Sequence, residues 1–378
     1  LREECIELVS PEELNSRESH FIERQFTKII EPVLTPIAVD PTHPFPTLLN
    51  CRLYLLVLLK GRENRHLPTA PMAFVEVPQV LPRFIRLPKR KDGAYRFCTL
   101  EDIITHFLDR LFTGYIVEGV HHIRITRDAD LEVDADESVD LLTSLQDELA
   151  TRSRGAAVRL EYSSTTPSEL RELLLGALGI PEDHAFVLGS WFQLQDLHQL
   201  HSSIERDDLK DEEIRPVLPE TAKKSDDIFE TIRGGDLFLY HPYHSFEPVV
   251  ELVTQAADDE NVLAIKQTLY RTSGDSPIVK ALARAAAKGK QVTALVELRA
   301  RFDEERNIQW ARRLEKSGVH VIYGLLGLKT HCKALLVVRR EEDGIKRYLH
   351  LATGNYNDKT ARLYTDMGLM TCEPSLAM

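Results

Sequence analysis

The densest chemical signal in the chain is a histidine with a lysine two residues to either side, Lys329-Thr-His331-Cys-Lys333. A neutral imidazole nitrogen is a good nucleophile near pH 7, and cations beside it oppose the uptake of a second positive charge. If the segment is extended, residues at this spacing share one face, so both ammonium groups stand beside the imidazole. Two arginine-bearing runs accompany it, Arg271-Thr-Ser-Gly274 and Arg299-Ala-Arg301-Phe-Asp-Glu304. Guanidinium forks grip phosphate oxygens bidentately and lysine supplies point charge, so the set points to phosphate handling with histidine as the nucleophile.

The charge distribution agrees. The 378 residues sum to −12, yet residues 261–340 carry 16 Lys and Arg against 6 Asp and Glu. Clustered cations of this kind create a local potential that distant acidic surface is mostly too screened to cancel. A polyanion is the expected partner: nucleotide, phosphate chain or nucleic acid. Solvated helix faces are the plain alternative.

The elements that must position these residues are βα units. Val262 to Tyr270 is a largely buried apolar strand, Ser276-Pro277 caps a helix ending at Gly289, and Gln291 to Leu298 is a strand again. Asp303 caps a helix to Gly318, and Val319 to Tyr323 is the third strand. Strands alternating with helices predict a mainly parallel sheet with helices on its faces, and ligands then sit beyond the strands' carboxyl ends, where the arginines and His331 lie. Strands near 333–340 and 347–352 join across Glu341-Glu-Asp-Gly344, which is hairpin chemistry.

The first part of the chain is less regular. Ser10-Pro-Glu-Glu13 signals a helix start with helical spacing to about Ile30, and five prolines between Pro32 and Pro46 end it. Short β-rich runs follow at 52–59, 72–77, 84–88 and 94–99, then helices at 101–112 and 138–152 around a strand near 120–126. An α+β domain over 1–217 and an α/β domain over 218–378 are predicted, separated by the polar stretch that ends at Pro216.

Other candidates are weaker. His198-x-x-His201 and His241-x-x-His244 have spacings a metal can use, but no carboxylate or cysteine set accompanies them. Glu304 and Glu305, in a first helical turn, are better explained by the helix dipole, and Trp310 by core packing. The five cysteines are spread and form no Cys-x-x-Cys pair, which argues against a disulfide framework or zinc ribbon. The longest apolar run, Leu53 to Leu59, is far short of the ~20 residues of a membrane span. The expected compartment is the cytoplasm, free or at a membrane surface, and the chain, opening on Leu1, reads as a piece of something longer.

Four runs in order resemble the long, histidine-phosphorylated type of bacterial polyphosphate kinase: Leu263-Ala-Ile-Lys-Gln-Thr-Leu-Tyr-Arg-Thr272, Glu297-Leu-Arg-Ala-Arg-Phe-Asp-Glu304, Gly327-Leu-Lys-Thr-His-Cys-Lys333 and the stretch from Thr353-Gly-Asn-Tyr-Asn357 to Leu363-Tyr-Thr-Asp366. The likeness continues through Pro32 to Asp40, Thr126 to Asp130 and His241 to Phe246. The resemblance implies a head domain followed by the first of two phospholipase-D-like catalytic domains, with an N-terminal helical domain and the last domain missing. It implies a reversible transfer of the terminal phosphoryl group of ATP to inorganic polyphosphate through phosphorylated His331; Lys333, two residues on and on the same face, is the expected catalytic cation beside it. Arg271 and Arg301 match a magnesium-phosphate site, and Tyr364 matches a nucleotide contact. Because a guanidinium has no lone pair for a cation, both arginines are expected to hold phosphates that carry the Mg²⁺. Lys329, Asn355 and Asn357 are further expected phosphate or nucleotide contacts.

The phospholipase-D signature has an Asp where this chain has Val338, while its Gly-x-x-Asn element survives as Gly354-Asn-Tyr-Asn357. The family's second histidine motif belongs to the last domain, so the site is half a site unless another chain completes it, and a homo-oligomer without nucleic acid is expected. Two other readings stand beside the kinase. One is a phospholipase-D-like phosphodiesterase or nuclease acting as a dimer; the other is a non-catalytic fragment that binds polyphosphate or mediates oligomerisation.

Overall fold

The computed structural model describes residues 1–39, 44–61, 72–129, 149, 155–189, 193–222, 225–272, 275–298, 300, 303–324 and 329–377. The helix expected over 138–152 lies almost wholly outside them. Apart from the segment 130–154, the described residues up to Lys210 form one compact unit and those from Asp211 another.

The first unit is built on a six-stranded sheet, in the order β2 (Ile37–Val39), β4 (Met72–Glu76), β3 (Leu53–Gly61), β7 (Tyr115–Arg127), β8 (Ala157–Ser163) and β9 (Ala185–Leu188). Strand β3 explains its own uninterrupted apolar run. Leu53, Leu55 and Val57 pack into a core with Ile22, Phe26 and Ile103, while Tyr54 and Leu56 enter a second core with Phe74, Ile125 and Leu174. A strand buried on both faces has no polar side to alternate with. The first core is covered by α1 (Ser16–Gln25) and α2 (Leu100–His106), the latter followed by the single turn α3 (Leu108–Leu111); the helix expected over 101–112 is thus two pieces. On the second face lies α4 (Ser168–Leu178), and α5 (Leu197–Ser203) packs with a small sheet of β1 (Ile6–Leu8), β6 (Tyr95–Thr99) and β5 (Phe84–Arg86).

Helix α1 starts later than Ser10 suggested. Pro11–Glu13 makes only a 3₁₀ turn, and the working cap is Asn15, whose Oδ1 accepts from the N–H groups of Arg17 and Glu18 while Glu18 returns its carboxylate to the Asn15 N–H. Glu18 is 1% exposed and also accepts from Arg90 at 2.8 and 2.9 Å and from Arg96. One carboxylate therefore ties the start of α1 to β6.

The second unit has a seven-stranded sheet ordered β10 (Leu237–His241), β16 (Asp366–Thr371), β15 (Gly344–Ala352), β14 (Lys333–Glu341), β11 (Val262–Leu269), β12 (Gln291–Val296), β13 (His320–Tyr323). It corrects the expectation of a mainly parallel sheet. Only β11–β12 and β12–β13 pair in parallel, and the pairings that join β11, β14, β15, β16 and β10 are antiparallel. The reversal comes from the hairpin. Glu341 pairs with Gly344 across two residues, and Gly344 takes φ 124°, which a side chain would resist. Helices α6 (Ile228–Arg233), α7 (Glu247–Asp258), α8 (Pro277–Ala287) and α9 (Glu304–Lys316) form one layer on a single face, where Leu239, Ile265, Ala294, Leu335 and Val337 are buried. On the opposite face Phe238, Leu351 and Met367 stay exposed, so among the described residues the helices do not cover both faces as expected.

Burial alone would raise the Glu18 pKa, but hydrogen bonds from Arg90, Arg96 and the Asn15 N–H outweigh it and hold the carboxyl down at about 2, from 4.5. A depressed carboxylate stabilises the fold above its unfolded pKa, and that contribution fades as pH falls from about 4.5 towards about 2. At ~1.4 kcal/mol per pKa unit it amounts to about 3 kcal/mol at neutral pH. Glu18→Gln should therefore lower the denaturant-unfolding free energy of this unit by about 3–5 kcal/mol at pH 7, as loss of one partner of a buried pair does. The gap between the two proteins should shrink when the same measurement is made near pH 3.

Candidate active site

The antiparallel strands decide where the chemistry gathers. Strands β10, β11, β12 and β15 end at the edge where β14 and β16 begin, because the latter run the opposite way. One edge therefore collects Tyr270 and Arg271 after β11, Glu297 after β12, His331 and Lys333 at the start of β14, Gly354 to Asn357 after β15, and Asp366 at the start of β16. His331 reaches the carboxyl ends of the parallel strands by preceding an antiparallel one.

Around His331 the contacts centre on Tyr270. The imidazole is exposed and meets the Tyr270 ring edge-to-face, with centroids 5.2 Å apart and planes at 84°. Lys329 Nζ lies 5.6 Å and Lys333 Nζ 5.4 Å from the same ring's centroid, and the Arg271 guanidinium 5.8 Å from it. The expected convergence of these cations with His331 is thus present. Arg301 lies outside the described residues.

Hydrogen bonds between side chains and the backbone hold this arrangement. The Glu297 carboxylate, 3% exposed, accepts the Thr330 N–H at 2.7 Å. Asn307 on α9 donates through Nδ2 to the carbonyls of Tyr270 at 2.7 Å and Glu297 at 2.9 Å. Thr268 Oγ1 donates to the Cys332 carbonyl at 2.8 Å and accepts the Ala334 N–H at 3.0 Å, carrying the β11–β14 ladder to the residue beside His331. Lys333, 5% exposed, donates from Nζ to the His331 carbonyl at 2.5 Å. Burial pushes its pKa below the usual lysine range, and the nearby Asp366 carboxylate offsets part of that shift. Arg271 pairs with Asp303 at 3.2 Å, and Arg306 pairs with the same carboxylate at 2.9 Å.

The Gly354–Asn357 turn is built from inside. Tyr356 is buried and its hydroxyl meets Nδ1 of His350 at 3.0 Å. Burial, with His241 nearby, pushes the His350 imidazole down to about 3, so the ring is neutral at physiological pH. Asn357 Oδ1 accepts from the N–H groups of Lys359 at 3.0 Å and Thr360 at 3.2 Å, which makes it a cap for the following turn. Among the described residues Asn355 Oδ1 is buried without a hydrogen-bond partner. Tyr364 is 62% exposed. At Gly354 an added Cβ would lie 2.7 Å from the Asp366 carboxyl carbon, so the turn and the start of β16 can approach only over a glycine. Sequence reasoning did not single out Tyr270, Glu297, Asn307, His350 or Asp366, although Tyr270, Glu297 and Asp366 lie inside the quoted runs.

His241 and His244 are engaged in their own turn: His241 Nδ1 meets the His244 carbonyl at 2.8 Å, and His244 Nδ1 accepts the Tyr240 N–H at 3.1 Å. His198 and His201 are exposed on α5. Among the described residues no group of three or more His, Cys, Asp or Glu is placed to hold a metal ion.

The model described as polyphosphate kinase middle domain matches residues 17–200, and that described as polyphosphate kinase C-terminal domain 1 matches residues 227–378. The chain is 50% identical over 377 residues to a polyphosphate kinase of Halalkalibacterium halodurans, covering 99% of this chain and 53% of that protein. It is 47% identical to one from Mycolicibacterium gilvum, covering 100% of this chain and 52% of that protein. The crystal structure of polyphosphate kinase from Porphyromonas gingivalis aligns over 100% of this chain and 55% of its own, with a TM-score of 0.80 at 31% identity. Two consecutive domains of one family, matched in order, define the class. The chain belongs to the polyphosphate kinase family, and it spans about half the length of the curated relatives it matches.

Because Gly354 has no room for a side chain, Gly354→Ala must displace Asp366 or the turn. Overpacking of this kind costs about 1–3 kcal/mol. For a unit of this size that should appear in calorimetry as a melting temperature lower by roughly 3–9 °C.

Proposed function

We propose that the protein containing this chain moves the terminal phosphoryl group of ATP reversibly to inorganic polyphosphate, with His331 as the group that carries phosphate between them. The observation that carries this reading is the exposed imidazole of His331 against Tyr270, with two lysines and Arg271 around the same ring. An imidazole nitrogen attacks the γ-phosphorus through its lone pair, a P–N bond forms, the bond to the β–γ bridging oxygen breaks, and ADP leaves with that electron pair. A terminal oxygen of polyphosphate then attacks the same phosphorus, the P–N bond breaks, and the chain is longer by one unit. Fixed cations at the transferred group meet charge as it spreads over the equatorial oxygens, the main source of catalysis in such transfers.

Lys333 is the cation best fixed for that purpose, being buried and anchored to the His331 carbonyl. Lys329 and Arg271 supply further phosphate contacts, and Asn355 can orient an oxygen or a water. Tyr364 is assigned to the nucleotide. Asn357 contributes through the shape of the turn, since its carbonyl oxygen is occupied by backbone donors.

Magnesium would neutralise part of the nucleotide's phosphate charge when bound. The described side chains here are mainly cations and amides, which suit phosphate oxygens, so the ion fits as a passenger on the phosphates, beside Arg271 and, by resemblance, Arg301. The phosphodiesterase reading finds less support: Val338, at the position of the signature Asp, lies within β14 paired with Ala264 and Arg347 and offers no carboxylate. We place the protein in the cytoplasm as a homo-oligomer. Among the described residues no helix is long and apolar enough to cross a membrane.

With γ-phosphate-labelled ATP and Mg²⁺, the protein in its full reading frame should take up acid-labile, base-stable label that His331→Ala abolishes. Folded native protein that stays unlabelled, or a mutant that labels equally, overturns the assignment. Because burial lowers the Lys333 pKa, phosphate affinity should begin to fall at a pH below the usual lysine range, and Lys333→Arg should move that fall upward.

A further inference from the structure

We propose that Tyr270 is a positioning residue for this transfer: its ring is the platform on which Lys329, His331 and Lys333 are arrayed before any phosphate arrives. The proposal rests on the function assigned above. Two ammonium groups and a guanidinium within 6 Å of one point repel each other, and without a bound anion long side chains would spread into water. The negative face of an aromatic ring attracts such cations, and its edge-to-face contact sets the plane of the imidazole. The platform is itself fixed. The Tyr270 carbonyl accepts from buried Asn307, which also holds Glu297, and Glu297 holds the Thr330 N–H next to His331.

Among the described residues the Tyr270 hydroxyl makes no hydrogen bond, so the ring is the working part. Replacement by phenylalanine should therefore preserve the array, and replacement by an aliphatic side chain should scatter it. The ring touches the groups that meet phosphate and acts through them.

The test compares Tyr270→Phe, Tyr270→Leu and Tyr270→Met in the full reading frame. Tripolyphosphate binding is followed by calorimetry, label from γ-labelled ATP by its initial rate, and the His331 C2 proton by its NMR shift. Loss of the Lys329 and Lys333 cation–π contacts should weaken tripolyphosphate binding about tenfold in Tyr270→Leu, and Tyr270→Phe should restore it. The His331 C2 proton should move when the ring is lost and keep its native shift in Tyr270→Phe. If leucine prevents folding, methionine provides the same ring-free comparison. The proposal is overturned if the folded ring-free variants bind tripolyphosphate as the native protein does, or if phenylalanine loses as much as leucine. If binding follows the ring but no variant and no native protein takes up label, the platform stands and the kinase reading fails.

Discussion

The site depends on gathering several cations around an imidazole at one sheet edge. Coulomb repulsion at these separations costs little in bulk water but more where burial lowers the effective dielectric, and Lys333 is buried. The structure answers with three kinds of counterweight. The Tyr270 ring supplies an attractive face to the cations, Asp303 neutralises Arg271, and Asp366 lies close enough to Lys333 to favour its charged form. Of these only the Tyr270 ring touches His331, edge-to-face, and the imidazole stays exposed for attack.

The mixed sheet follows from the same need. A purely parallel sheet brings only strand ends to its ligand edge, so each element contributes one loop. Reversing β14 and β16 brings strand beginnings to that edge as well. Lys333 is the first residue of β14 and Asp366 the first of β16, and both are anchored by the ladder as no loop residue is. Site groups held on rigid elements keep their geometry better than groups carried on loops.

Much of this was legible in the sequence, and the failures have physical causes. The run through β3, the βα series and the hairpin at Glu341–Gly344 announced themselves because local pattern and turn chemistry agree there. Strands β10 and β16 did not. Leu237-Phe-Leu-Tyr-His241 is short, and β16 carries Gly368, which weakens its strand signal and is present because His350 Nε2 would lie 2.9 Å from a Cβ there. The expectation of a mainly parallel sheet came from reading direction off the helices alone. His331, Lys329 and Lys333 were visible through their spacing, whereas Tyr270 looked like an ordinary strand-end aromatic. Its role lies in contacts with residues 59 to 63 positions away in the chain, which no local pattern encodes.

The charge count carries a similar lesson. The excess of cations over residues 261–340 suggested a site for a polyanion, but much of it is spent locally. Asp258, just outside that window, accepts from Arg284 and Lys288; Asp259 accepts from Arg339, which also pairs with Glu341. Asp275 holds Lys280. Lys329 and Lys333, by contrast, make no ion pair among the described residues, so positive potential remains at the edge where His331 stands. Cations not spent in local salt bridges keep a field that reaches a polyanion, and at this edge that field lies beside the exposed imidazole.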